Sequence, residues 1–299
     1  MSTTSKHLER ILSKTNRVAN LQVVFVDIEK YSRRRTLTQT EVIDRFTLCL
    51  NKTLTAMSKE YVEFAQRNNI NFQEDIIRLP TGDGAAIVFP FDGLPEIHLF
   101  FAKQLLRDIY EANSNSPCPK YNEHGWCNCH ANFGIRVGIS EGKGIIYKDI
   151  NDNYNVAGGV INMSARIMTM GNRSQIMFTE EAYRQIIDMV DDPNLVDRFR
   201  EYKNIRIKHN IRIPVYQYLG EGELYIDPEI SEELALSAKM DTVMSSMSKL
   251  GEGAAQTSNF SAKEMLQTLG VLESLANTLT GQPPQPPIQL KDINKEEDS

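Results

Sequence analysis

The sequence predicts an α+β fold, and three observations carry that expectation. Near-continuous apolar runs rich in β-branched residues, such as residues 21–26, have the make-up of buried strands. Segments of helical periodicity are interposed between such runs. Thr81, Gly82, Asp83 and Gly84 supply turn chemistry between two of them. The 299 residues suffice for one domain of ordinary size plus extensions.

Taken in order, residues 1–20 read as a short N-terminal helix around LERILSKTNRV, and residues 21–28 as a strand. Residues 38–68 place Val42, Phe46, Leu50, Leu54, Met57 and Tyr61 on one helical stripe. IIRLP, TGDG and AAIVFP form a hairpin. Residues 95–112 are a helix, and a polar insert, 113–132, follows. FGIRVGIS is a strand and GIIYKD the next. Residues 158–171 are a helix ending at Gly171. QIMFT is a strand, EEAYRQIIDMV a helix, and IRIKHNIRIPVYQYLG a closing hairpin. The order β-α-β-β-α-β is that of a ferredoxin-like split βαβ unit, with an antiparallel or mixed sheet and helices on one face.

The composition changes beyond residue 221, and residues 221–280 read as a helical C-terminal extension. Asp227 and Pro228 suit a cap and first helical position. Leu236, Met240, Val243, Met247 and Leu250 follow a 4-3-4-3 spacing. A linker, 251–259, precedes a second helix with Ser261 and Glu264 as a capping box. These helices either support a dimer or regulation, or pack back on the body. Residues 281–299, proline-rich and then charged, read as a disordered tail.

Composition narrows the function classes. No apolar run approaches membrane-spanning length, and the N-terminus lacks a signal-peptide pattern. Four cysteines fit a reducing cytoplasm better than a disulfide scaffold. A formal charge of −6 gives no support for a nucleic-acid-binding surface. The expectation is a cytoplasmic protein without membrane or nucleic-acid partners.

The candidate chemistry starts at FVDIEKYSRRR, residues 25–35. A carboxylate at the tip of a buried strand is costly unless something pairs with it. Asp27 closes the first strand and Asp83 sits in the turn of the following hairpin, so a βαββ unit brings both to one sheet edge. With divalent ions they become ligands, and the Ile28 carbonyl adds a third oxygen; hard oxygen donors suit magnesium or manganese. Two such ions can activate a hydroxyl and hold a triphosphate leaving group. Read alone, Asp83 is simply a turn former. In NVAGGVINMSARIM, Asn162 and Arg166 share one helix face. Arg166 offers a positive fork suited to a phosphoryl transition state. The plain reading is a solvated face. Lys208 offers a point charge for a terminal phosphate, or is ordinary surface. The insert supplies Cys118, His124, Cys127, Cys129 and His130, enough for a structural zinc, although their spacing departs from the common knuckles. The alternative there is a loop of reduced thiols.

FVDIEKYS, LPTGDGAAIVF, RVGIS-EGKGII, NVAGGVINMSARI and IRIKHNIRIPVYQYL resemble, in order, the motifs of class III nucleotidyl cyclases, over residues 21–220. The resemblance implies a homodimer with two sites at its interface. Asp27, Ile28 and Asp83 of one subunit would hold two divalent ions, Mn2+ or Mg2+. The partner would supply Asn162 and Arg166 for the transition state and Lys208 for phosphate. Tyr31 and Ser32 match positions whose backbone holds the triphosphate. The family's base-reading position, Lys in adenylate and Glu in guanylate cyclases, is Leu79 here. Its second, Asp in adenylate cyclases, is Asn155. Arg78 is next to Leu79 but points to the other face of the strand, so it does not simply substitute. This pair fits neither purine pattern. The chain resembles instead the bacterial pyrimidine cyclases of Pycsar anti-phage defence, to which the DIEKYSRRR start adds. That resemblance implies a cyclase converting UTP to 3′,5′-cyclic UMP and pyrophosphate, with cyclic CMP from CTP as the alternative. The product would activate a separate effector. A purine cyclase and an inactive nucleotide-binding regulator are the further alternatives. Phe25 shares the strand face of Asp27 and either packs on a pyrimidine ring or is plain core. Of Arg33, Arg34 and Arg35, one is expected near the triphosphate.

Overall fold

The structure, a computed structural model, describes residues 5–207 and 211–237. The chain divides into two units after Leu234, and the sheet belongs to the first. Helix α1 (Lys6–Leu12) is capped by Ser5, whose hydroxyl accepts the Leu8 amide. It leads into β1 (Val18–Ile28). Helices α2 (Thr36–Glu60), α3 (Val62–Asn68) and α4 (Phe72–Asp75) precede the hairpin of β2 (Ile77–Pro80) and β3 (Gly84–Phe89). Next come α5 (Ile97–Ser114), α6 (Pro119–His124), β4 (Ile135–Lys148) and β5 (Tyr154–Ala157). The order closes with α7 (Gly159–Met168), β6 (Ile176–Thr179), α8 (Glu180–Met189), β7 (Phe199–Ile207) and β8 (Ile211–Tyr218). Among the described residues eight strands form one sheet, in the order β2-β3-β1-β4-β6-β8-β7 with β5 on β4. The β4–β6 pair is parallel and the others antiparallel. The class is α+β, as the sequence predicts.

Several boundaries differ for physical reasons. The N-terminal helix covers residues 6–12, because β1 begins at Val18. FGIRVGIS and GIIYKD form one strand, not two. β4 pairs with β1 from Val18↔Ile145 to Ile28↔Ile135, and this continuous ladder holds the backbone extended through Gly142 and Gly144. The 38–68 stripe breaks at Tyr61 into α2 and α3. The C-terminal extension is capped by Ser231, whose hydroxyl accepts the Leu234 amide. Asp227 precedes that helix, its Oδ1 accepting the Glu229 backbone amide at 3.0 Å and its Oδ2 the Gln175 side-chain amide at 3.1 Å. The later positions of both C-terminal helices and the tail lie outside the described residues.

Helices cover both faces of the sheet, not one. On one face Val24, Val26 and Ile28 of β1 join Val42 and Phe46 of α2, Leu105 of α5 and Ile186 of α8 in the main core. On the other, Leu21 and Val23 meet Leu8 of α1 and Val160 of α7. Helix α7 lies so close to β4 that a Cβ at Gly138 would stand 2.2 Å from the Ser164 carbonyl oxygen. Only glycine admits that contact.

One polar cluster strains the main core. Gln22 Oε1, His98 Nε2 and Glu141 Oε2 are buried without hydrogen-bond partners. Burial holds the His98 imidazole down to about 3, so it is neutral and its 3.9 Å approach to Glu141 is not an ion pair. Burial, with repulsion from Asp92, pushes the Glu141 carboxyl up to about 7 from 4.5. A folded-state value above the unfolded one means the fold favours the protonated acid. Stability contributed there is full below about 4.5 and is lost as pH rises towards about 7. Glu141→Gln is therefore expected to stabilise the protein by about 1–2 kcal/mol at pH 8, allowing for solvent at the carboxylate, and by little at pH 4.5. Denaturant midpoints at the two pH values check this; equal shifts at both would refute it.

Candidate active site

The end of β1 brings the two acids together. Asp27 is the register partner of Gly84 on β3 and of Arg136 on β4. The Ile28 amide donates to the Asp83 carbonyl at 2.9 Å, which ties the hairpin turn to the strand end. A Cβ at Gly84 would stand 2.0 Å from the Val26 carbonyl oxygen, so glycine is what lets the turn close this far. The Ile28 side chain is buried in the main core, leaving its backbone as the part able to serve the site.

Asp27 Oδ2 accepts from Arg136 Nε at 2.9 Å. Burial nevertheless outweighs Arg136 and holds the Asp27 carboxyl above its ordinary range, with Asp83 and Glu29 adding repulsion. A partly buried carboxylate facing a second acid calls for a cation. Two carboxylates with a neighbouring backbone carbonyl form a hard oxygen set, which fits Mg2+ or Mn2+. Arg136 was not anticipated from sequence. Its one signal is its register opposite Asp27, and that is readable only once β1 and β4 are paired.

Leu79, Ala86, Phe25 and Gly138 are successive register partners across β2, β3, β1 and β4. Leu79 and Phe25 thus stand on one face, roughly 10 Å apart at two strand spacings. Asp27 lies on the same face about 7 Å along the strand from Phe25. Phe25 is half-buried and Ala86 fully buried. Leu79 and Asn155 line one cleft of about 480 Å³ with Pro80, Asp149 and Tyr154. The Asn155 carbonyl Oδ1 accepts the Val156 amide at 2.7 Å.

Arg78 borders that cleft as well, although its register position beside Leu79 keeps it on the opposite strand face. β2 is a four-residue edge strand, so the cleft wraps its edge and takes in both faces. Its guanidinium Nη2 donates to the Gln73 carbonyl at 2.7 Å and to Gln73 Oε1 at 3.1 Å.

Tyr31 and Ser32 directly follow β1 in a 3-10 turn, Tyr31–Arg33, after Lys30 in the left-handed region. Ser32, Arg33 and Arg35 are exposed. Arg34 is 4 % exposed and turns towards the insert, donating to the Cys127 carbonyl at 2.9 Å and the Asn132 carbonyl at 3.0 Å. Asn162 is exposed on α7 and Arg166 is half-buried. Among the described residues neither side chain forms a hydrogen bond or ion pair, with the two acids or with any other group. Lys208 lies outside the described residues.

No family model matches the chain, and no curated protein matches it. Solved structures do. A bacterial light-regulated adenylyl cyclase is 13 % identical, with a TM-score of 0.52, over 73 % of this chain and 56 % of that one. The guanylate cyclase domain of RhGC from Catenaria anguillulae, solved with GTP, is 15 % identical, with a TM-score of 0.46, over 67 % of this chain and 96 % of that one. The adenylyl cyclase CyaB from P. aeruginosa is 17 % identical, with a TM-score of 0.46, over 70 % of this chain and 98 % of that one. At these identities the likeness is one of fold. The chain has the class III nucleotidyl cyclase fold, and no helix of the described residues is long and apolar enough to cross a membrane.

Proposed function

We propose that the protein is a pyrimidine nucleotide cyclase that converts UTP to 3′,5′-cyclic UMP and pyrophosphate. The observation that carries this reading is the joint placement of the acids and two uncharged residues, Leu79 and Asn155. Asp27 and Asp83 meet at the end of β1, while Phe25 and Leu79 share the Asp27 face and Asn155 closes the same cleft as Leu79. Leu79 and Asn155 themselves carry no charge to read a purine edge, and the Asn155 amide keeps its NH2 donor and the second lone pair of Oδ1, beyond the Val156 bond, for a pyrimidine. Because that amide suits either base, CTP is the second substrate reading. ATP or GTP would require another reader, and Arg78 in the cleft is the candidate.

Asp27, Asp83 and the Ile28 carbonyl would hold two divalent ions, which supply charge neutralisation and acidify the 3′-hydroxyl when bound. The 3′-oxygen forms a bond to the α-phosphorus as the bond to the β-phosphate oxygen breaks. The hydroxyl proton passes to solvent, and pyrophosphate leaves. Asn162 of the partner orients the ribose, and Arg166 of the partner meets the charge that builds on the α-phosphoryl oxygens. The backbone of Tyr31 and Ser32 holds the triphosphate, and Lys208 of the partner meets its far end. The cyclic nucleotide would then act on a separate effector, and the resemblance of DIEKYSRRR to the Pycsar cyclases is what supports a signal in anti-phage defence.

Incubating the purified chain with manganese and each of ATP, GTP, CTP and UTP, and identifying products by mass spectrometry, tests this reading, with Asp83→Ala as control. A cyclic pyrimidine lost in the control is expected, and its base names the substrate. A cyclic purine would discard the Leu79–Asn155 argument while keeping the chemistry. The same product from Asp83→Ala would discard the metal site.

A further inference from the structure

The geometry points to a zinc site in the insert, formed by Cys118, Cys127 and Cys129 with His124 as the fourth ligand, that fastens the loop following β1. The three thiol sulfurs lie within 4.8 Å of one another, and Cys118 Sγ is 3.0 Å from Cys129 Sγ. Zinc–sulfur bonds of about 2.3 Å set tetrahedral sulfurs roughly 3.8 Å apart, so small side-chain rotations suffice. Three convergent thiols favour a metal over a disulfide, which would leave one of them without a partner. Cys118 and Cys127 are each 2 % exposed, so the cluster is built into the fold.

His124 ends α6 and lines, with Cys127 and Cys129, a cavity of about 520 Å³. Its imidazole makes no short hydrogen bond, lying 3.5 Å from Glu123. It is therefore free to turn inward. His130 does not line that cavity. Binding would exchange three thiol protons for one Zn2+, the three thiolates and a neutral imidazole completing a closed, structural shell.

The insert grips the loop after Asp27 at four points. Lys30 Nζ donates to the His124 carbonyl at 3.2 Å. Arg34 donates to the Cys127 and Asn132 carbonyls. The Arg35 amide donates to Asn128 Oδ1 at 3.2 Å. Two of these partners are themselves proposed ligands. A metal that closes the insert thereby fixes residues 30–35, including Tyr31 and Ser32. The metal site does not depend on the reaction proposed above; only the purpose of holding the loop does.

The test uses the full chain purified under reducing conditions. Mass-spectrometric metal analysis is expected to find about one zinc per chain, lost in Cys127→Ser and Cys129→Ser. Asp83→Ala is expected to keep its zinc, which separates this site from the acids. Cobalt substitution in the unaltered chain should give a thiolate-to-metal charge-transfer band, a readout that does not depend on any variant folding. His124→Ala should weaken zinc binding at least about tenfold, with His130→Ala unchanged. Chelation should speed backbone hydrogen exchange in residues 29–35. Metal-free protein without the cobalt band, or a Cys118–Cys129 disulfide in its place, would overturn the site. A loss confined to His130→Ala would overturn the fourth ligand, and unchanged exchange would overturn the grip on the loop.

Discussion

Asp27→Ala is expected to abolish cyclic nucleotide formation, with a loss of at least ~10³-fold, while the fold stays intact. Removing one transition-state donor typically costs about 10²–10³-fold, and under the proposed function Asp27 is a ligand to both cations, whose loss is expected to cost more. The fold should tolerate the change because Asp27 is not a stabilising anchor. Burial outweighs the pull of Arg136, so the ionised carboxyl is held at some cost. The partner left behind, Arg136, is 29 % exposed and can turn its guanidinium to water. A melting temperature within a few degrees of wild type is the expectation. Asp27→Asn keeps the shape and removes the charge, so it should lose as much activity as Asp27→Ala. Product formation by mass spectrometry, with melting curves on the same samples, reads both quantities. Full activity in Asp27→Asn would mean that the carboxylate holds no metal and that the Arg136 pair is its whole role.

The sheet was legible in the sequence where pattern and turn chemistry agreed. The apolar run of β1 announced a central strand, and TGDG announced the β2–β3 hairpin. Together they implied that Asp27 and Asp83 meet, and the Ile28–Asp83 backbone bond is that meeting. What pattern cannot supply is register. Arg136 sits one residue into β4, 109 positions from Asp27, and becomes its partner only because β1 and β4 pair along their full length. The same ladder explains the missed continuity of β4, which runs through Gly142 and Gly144 as one strand paired with β1. The arginine run shows the complementary failure. Charge runs read as solvated loops, yet Arg34 is buried because carbonyls of the insert, more than 90 residues away, receive its guanidinium. β5 is four residues long, too short for its alternation to register, and Asn155 reaches the Leu79 cleft through it.

Mixing Asp27→Ala and Arg166→Ala chains is expected to restore about a quarter of wild-type turnover from two inactive parents, as two-fold symmetry dictates. In the proposed head-to-tail dimer each site would take its acids from one chain and Asn162 with Arg166 from the other. A hybrid then has one site carrying both lesions and one carrying neither. Random pairing makes half the dimers hybrids, each with one working site of two. This division of labour is part of the proposed function. Arg166 forms no ion pair with either acid among the described residues, where Asp27 pairs with Arg136 instead. Helix α7 is also held on β4 by the Gly138–Ser164 contact, which admits no Cβ between them. A partner can approach the exposed Asn162 side of α7 with the fold unchanged. Differently tagged chains, co-purified to show that hybrids form, make the experiment decisive. Hybrids that form without activity would count against the shared site.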